Sequence, residues 1–187
     1  MASRRNLVVD LDELVTALDP GSDEVRYFLD LETGEVIMVS DETRDLAEEI
    51  VNEIPEDQEV TREALEVAIE GRDEPDWLIE AAIQAALIEE GYGKRYLEVE
   101  PVETHDAYQD METFIETVAD PRLQRELERA ISGRGAFRRF KDTLLDYPAE
   151  RQRWFAFQND VMRQRAIEWL HNNGIEPLPK PGAQPAG

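Results

Sequence analysis

The chain has no cysteine, two histidines and three lysines among its 187 residues. Without cysteine there is no disulfide staple and no thiolate zinc site. His105 and His171 stand far apart in sequence, with no ligand-spaced companions. A histidine metal centre or a Ser–His nucleophile therefore has no recognisable spacing to rest on. No apolar run reaches the roughly 18 residues that a membrane span needs. The apolar stretch Leu7-Val8-Val9 is too short for a signal peptide, so the protein reads as cytosolic and non-membrane. No phosphate-cradling Gly-x-x-x-x-Gly-Lys and no dinucleotide fingerprint is present. Asp30-x-Glu32-x-Gly34 lacks the spacing of a calcium loop. The sequence thus implies no cofactor, no metal and no catalytic residue, and it leans away from an enzyme.

Acidic residues are what the chain has in excess. The formal net charge is −23, and it is uneven. Residues 1–121 carry 35 Asp and Glu against 8 Lys and Arg, whereas residues 122–187 carry 8 against 12. Such a surface suits solubility, or a basic protein partner. Free nucleic acid is disfavoured as a ligand of the whole chain, because phosphate contacts need a basic face. Only the C-terminal half could supply one.

Periodicity places the elements. Leu11, Leu14, Val15 and Leu18 share a helical face over residues 10–18, with Asp10 as N-cap. Val25–Leu31 and Val36–Val39, joined through Glu32-Thr33-Gly34-Glu35, predict a β-hairpin with Gly34 at a positive φ. Val25, Tyr27, Leu29 and Leu31 would line one face, with Arg26, Phe28 and Asp30 on the other. Ser40 caps a helix to about Ile54, and Thr61 caps the next. Pro75 falls in the first turn of a helix that is apolar around most of its circumference. Tyr96–Val102 alternates and reads as a third strand. Thr104 or Asp106, Asp120-Pro121, Phe137 and Pro148 mark the starts of four C-terminal helices, the last ending at Gly174. The fold class is α+β, mainly α: a small antiparallel hairpin, extended to three strands, packs with helices. Residues 1–176 are expected to form one domain, with an acidic part (10–103) and a helical part (104–176). Residues 177–187 hold four prolines and are expected to be a disordered tail.

One stretch differs from the rest: Gly133-Arg134-Gly135-Ala136-Phe137-Arg138-Arg139-Phe140-Lys141-Asp142 is basic, aromatic and broken by two glycines. It has two readings. In the first, the glycines allow close packing, Phe137 and Phe140 fill the core, and Arg134, Arg138 and Lys141 share a face that pairs with internal acids. In the second, Arg134, Arg138, Arg139 and Lys141 are candidate anion-binding residues, with Phe137, Phe140, Trp154 and Phe157 as aromatic support for a nucleotide phosphate or nucleic acid. The balance favours internal acids. The last helix is apolar on two sides, which suits a core position or a homodimer seam.

Tyr27-Phe28-Leu29-Asp30, Glu32-Thr33-Gly34-Glu35, Met111-Glu112 with Phe114-Ile115, the Gly133–Asp142 stretch, Trp154 and Glu168-Trp169 together resemble a bacterial group known as uncharacterised protein family 0158. The resemblance spans about residues 10–176. That family has no assigned activity, so the resemblance implies no catalytic residue. The expected function is a non-catalytic interaction or regulatory module that offers an acidic surface to a basic partner. The alternative is anion binding at the Gly133–Asp142 corner.

Overall fold

The structure, a computed structural model, describes residues 4–19 and 24–178. In chain order the elements are β1 (Arg5–Val8), α1 (Leu11–Leu18), β2 (Val25–Asp30), β3 (Val36–Ser40), α2 (Asp41–Val51), α3 (Arg62–Ala68) and α4 (Asp76–Glu90). They continue with β4 (Tyr96–Val99), α5 (Thr104–Glu116), α6 (Pro121–Ile131), α7 (Ala136–Leu144), α8 (Pro148–Asn172) and β5 (Ile175–Leu178). The fold is α+β and mainly α.

Side chains that can accept a backbone N–H start several helices. Asp10 accepts from the Asp12 and Glu13 amides, Ser40 from Thr43, Thr61 from Ala64 and Asp120 from Arg122. Two starts differ from the sequence expectation. Pro75 is the N-cap of α4 rather than part of its first turn. Glu103 precedes α5 without any side-chain cap bond, where Thr104 or Asp106 had been expected to cap. Helix α2 also stops at Val51, and the chain reaches Ile54 through tight turns.

The antiparallel sheet has the order β3-β2-β4. Phe28 lies opposite Ile37 and Glu98, while Leu29 lies opposite Val36 and Leu97. Alternation therefore sends Phe28 to one face and Leu29 to the other, as the hairpin pattern predicts. Both faces are covered. Phe28 and Val39 pack on Leu46 and Ile50 of α2 and on Ala82, Ala86 and Ile88 of α4. Leu29 and Val99 pack on Leu14 and Leu18 of α1 and on Met162, Ala166 and Leu170 of α8. Burying each of the larger side chains contributes roughly 1.5–3 kcal/mol. A third core holds α5, α6, α7 and the first half of α8 together, around Phe114, Leu127, Phe140 and Trp154. Helix α8 therefore serves two cores along its 25 residues.

The β2–β3 turn is fixed from both sides. Gly34 has φ +78°, and its N–H donates to the Asp30 carbonyl at 2.8 Å. A Cβ there would sit 2.0 Å from the Val8 carbonyl oxygen. The Asp30 carboxylate, 2% exposed, accepts the Glu32 amide and a bidentate grip from Arg95, whose Nη2 donates at 2.7 Å.

One pairing has no counterpart in the sequence expectation. β1 and β5 form a parallel two-stranded sheet, with Leu7 opposite Pro177 and Val8 opposite Leu178. Pro177 and Leu178, assigned above to a tail, complete this pair. Residues 179–187 of the expected tail lie outside the described residues. A proline is tolerated in β5 because the strand has a neighbour on one side only.

Candidate functional site

The Gly133–Asp142 corner joins α6 to α7. Gly133 and Gly135 have φ +81° and +74°, and beyond the glycine and its chain neighbours no atom among the described residues lies within 4 Å of where a Cβ would sit on either. The glycines are needed for backbone handedness and not for close packing, which corrects the first reading of this stretch. Phe140 is fully buried, edge-on to Trp154 with ring centroids 4.8 Å apart and to Phe114 at 6.2 Å. Phe157 stacks on Trp154 at 5.9 Å. Trp154 is buried, whereas Phe137 and Phe157 are half-buried against the same core.

The four cations of the corner serve different ends. Arg139 donates through Nε to the Ala130 carbonyl at 2.9 Å and through Nη2 to the Ser132 carbonyl at 2.6 Å. It thereby satisfies carbonyls at the C-terminus of α6, where a cation also meets the negative end of the helix dipole. Arg138 is 89% exposed and lies 3.7 Å from Asp142, one turn along its own helix. Arg134 precedes α7, so it does not continue a helical row with Arg138 and Lys141. Among the described residues none of the four pairs with the acidic helices of the N-terminal half, where the sequence expects internal pairing; the partners of Arg138 and Arg139 are local. Lys141 has no acidic partner among the described residues, and it lines a cavity.

That cavity, about 430 Å³, opens between the end of α1 and helices α5, α7 and α8. Met111, Phe137, Phe140, Trp154 and Met162 supply its apolar wall. Asp19, Thr104, Asp110, Lys141 and Gln158 supply its polar groups. Asp110 is neutralised by Arg165, which grips both carboxylate oxygens. The sequence flags Phe137, Phe140, Lys141 and Trp154 here but none of the residues from α1 and α5.

A second concavity lies in the acidic half. It measures about 450 Å³ between the sheet and helices α2 and α4. Phe28, Val39, Val51, Val60, Ala85 and Ala86 line it. Arg26, Arg44, Glu48, Glu89 and Glu90 stand around it. Residues 41–90 contain eighteen Asp and Glu but only three arginines. Each arginine is engaged: Arg44 with Asp41, Arg62 with Glu66 and Glu80, and Arg72 with Glu49, Glu53 and Glu74. Twelve carboxylates of this segment therefore have no cation within 4.0 Å among the described residues. Single-residue sequence patterns do not mark the cleft, because its floor is built from three separate elements.

Neither histidine joins a site. His105 is exposed and bonds Gln109 within its helix, while His171 Nε2 lies 3.3 Å from Glu176. Among the described residues no group of three or more His, Asp and Glu could hold a metal ion, and no helix is long and apolar enough to cross a membrane.

No solved structure matches this chain. A curated protein of Pseudomonas aeruginosa, UPF0158 protein PA5073, is 30% identical over 188 residues, covering 95% of this chain and 97% of that protein. Residues 72–184, which take in the corner, α8 and β5, match the group described as Uncharacterised protein family (UPF0158). The chain belongs to the uncharacterised protein family UPF0158.

Proposed function

We propose that this protein is a non-catalytic interaction module of the cytoplasm that takes a basic polypeptide segment across helices α2–α4, with an apolar anchor side chain in the cleft beside Phe28. The observation that carries the reading is the pairing pattern. Every arginine of residues 41–90 is committed to a neighbour, yet twelve carboxylates have no cation within 4.0 Å among the described residues. Such an excess weakens the free fold by repulsion, and a basic partner relieves it. The apolar floor under Glu48, Glu89 and Glu90 gives that partner a place for one side chain. Charge would set the on-rate and the partner class, and the buried anchor would set residence time.

The test uses the full chain and fluorescence anisotropy with labelled peptides of defined sequence. An arginine- and lysine-rich peptide bearing one leucine or phenylalanine should bind at low salt, and weaken as salt rises. The same peptide with the anchor replaced by serine should bind about tenfold or more weakly. Glu48→Lys with Glu89→Lys and Glu90→Lys should abolish binding while the circular dichroism stays unchanged. Absence of binding at low ionic strength, or undiminished binding by the triple variant, overturns the reading.

A second reading retains the corner as an anion site. Arg139 is occupied by carbonyls, so it would rest on Arg134, Arg138 and Lys141, whose side chains are exposed. Oligonucleotide binding that survives Arg134→Ala with Arg138→Ala would remove it.

A further inference from the structure

We propose that the cavity between α1, α5, α7 and α8 binds a small zwitterion with an apolar body, of the aromatic or large aliphatic amino-acid class. Its volume of about 430 Å³ falls in the range of small-molecule sites. The wall is apolar where a ligand body would lie, with Phe137, Phe140, Trp154, Met111 and Met162 from three helices. The polar groups are few, and several of them lack a protein partner. Lys141 has no carboxylate within 4.0 Å, Asp19 has no cation, and the Gln158 amide has no hydrogen bond among the described residues. Trp154 is 4% exposed, and its indole N–H has no acceptor among the described residues. Buried polar hydrogens without partners are uncommon, because each costs desolvation free energy. One buried, unpartnered indole N–H and two exposed, unpaired charges thus border the same apolar hollow.

The charges choose the ligand. Asp110 is already held by Arg165, so it contributes no net charge. Lys141 and Asp19 then remain as one positive and one negative group bordering the same cavity. Thr104, the first residue of α5, lines the cavity too, and α5 begins without a side-chain cap. Its uncapped first-turn amides favour negative charge. A ligand carboxylate would meet Lys141 and the start of α5, an ammonium would meet Asp19, and the side chain would lie against the rings. A molecule with only one charge would leave either Lys141 or Asp19 without a counterpart.

The experiment is isothermal titration of the full chain with phenylalanine, leucine and tryptophan, with 3-phenylpropionate and phenethylamine as single-charge probes. A thermal-shift series runs beside it. Saturable binding of at least one amino acid is expected, with both single-charge probes about tenfold or more weaker. Lys141→Ala and Asp19→Asn should each weaken binding about tenfold or more. Both residues are exposed, so these variants keep the fold, which far-UV circular dichroism verifies. Absence of saturable binding overturns the proposal. So does equal binding of a single-charge probe, or an affinity that ignores both substitutions.

Discussion

Phe140→Ala tests whether the corner is first of all a packing device. The ring is fully buried and meets Trp154 at 4.8 Å and Phe114 at 6.2 Å, both edge-on. Truncation removes the transfer free energy of the ring and leaves a cavity, which together cost about 3–5 kcal/mol. Each edge-to-face pair accounts for about 0.5–1.5 kcal/mol within that figure. Phe155 is the internal control, since it is 49% exposed, with Arg151 over its ring. Its truncation should stay within about 0.5 kcal/mol. The assay is urea denaturation followed by tryptophan fluorescence and far-UV circular dichroism. With a slope of about 2 kcal/mol/M, Phe140→Ala should lower the midpoint by more than about 1 M. A midpoint that hardly moves, or one that moves equally for Phe155→Ala, would refute the assignment of this ring to the core.

Gly34→Ala should destabilise by more than the roughly 1–2 kcal/mol of a left-handed alanine, because the new methyl also displaces the Val8 carbonyl 2.0 Å away. Hydrogen exchange should show β1 and β5 opening first. Gly133→Ala, with open space around it, should cost only the backbone term. For Asp30, burial would raise the carboxyl pKa, but the Arg95 hydrogen bonds, the Glu32 amide and the Arg95 charge outweigh it and hold it below the ordinary carboxylate value. A depressed folded-state pKa gives stability that is present above the unfolded value of about 3.9 and is lost as pH falls through the folded value. Asp30→Asn should therefore cost about 1–3 kcal/mol at neutral pH, with the gap to the parent narrowing below about pH 4. A gap independent of pH, in denaturation midpoints taken across that range, would dismiss the Arg95 pairing as a source of stability.

Many of the helices were legible from a 3.6-residue apolar row, and four of the eight, α1, α2, α3 and α6, from a starting side chain that caps them. Leu123, Leu127, Ala130 and Ile131 are all buried, and Asp120 caps them, as their spacing predicts. The hairpin was legible from Gly34 and the alternation of Phe28 with Leu29. The β1–β5 pair was not. Each strand has four residues, they are some 170 positions apart, and Pro177 argues locally against a strand. Their pairing follows from where α8 ends, and local pattern does not encode that. Arg139 shows a different limit. Counting acids predicts acidic partners for a cation, but the C-terminal carbonyls of a helix are acceptors that composition never displays. The cavity was half legible: its rings sit in the corner, while Asp19 and Thr104 reach it only through the docking of α1 and α5.

Two roles remain open to the acidic helices, solubility and partner binding, and salt separates them. The carboxylates of α2–α4 outnumber the arginines of residues 41–90 six to one, and the ion pairs formed there already use all three. Repulsion among the remainder opposes folding, and the burial of Ala82, Ile83, Ala86 and Ile88 in α4 offsets it. Screening shortens the reach of that repulsion to about 10 Å at 0.1 M salt. The free chain should therefore melt at a higher temperature as salt is added. Under the solubility role the effect stops there. Under the interaction role the complex with a basic, anchored peptide should lose affinity over the same range, so salt stabilises the chain and weakens the complex together. Calorimetric melting and anisotropy titration on one salt series would measure both. A peptide affinity that stayed flat while the melting temperature rose would assign the acidic face to solubility alone.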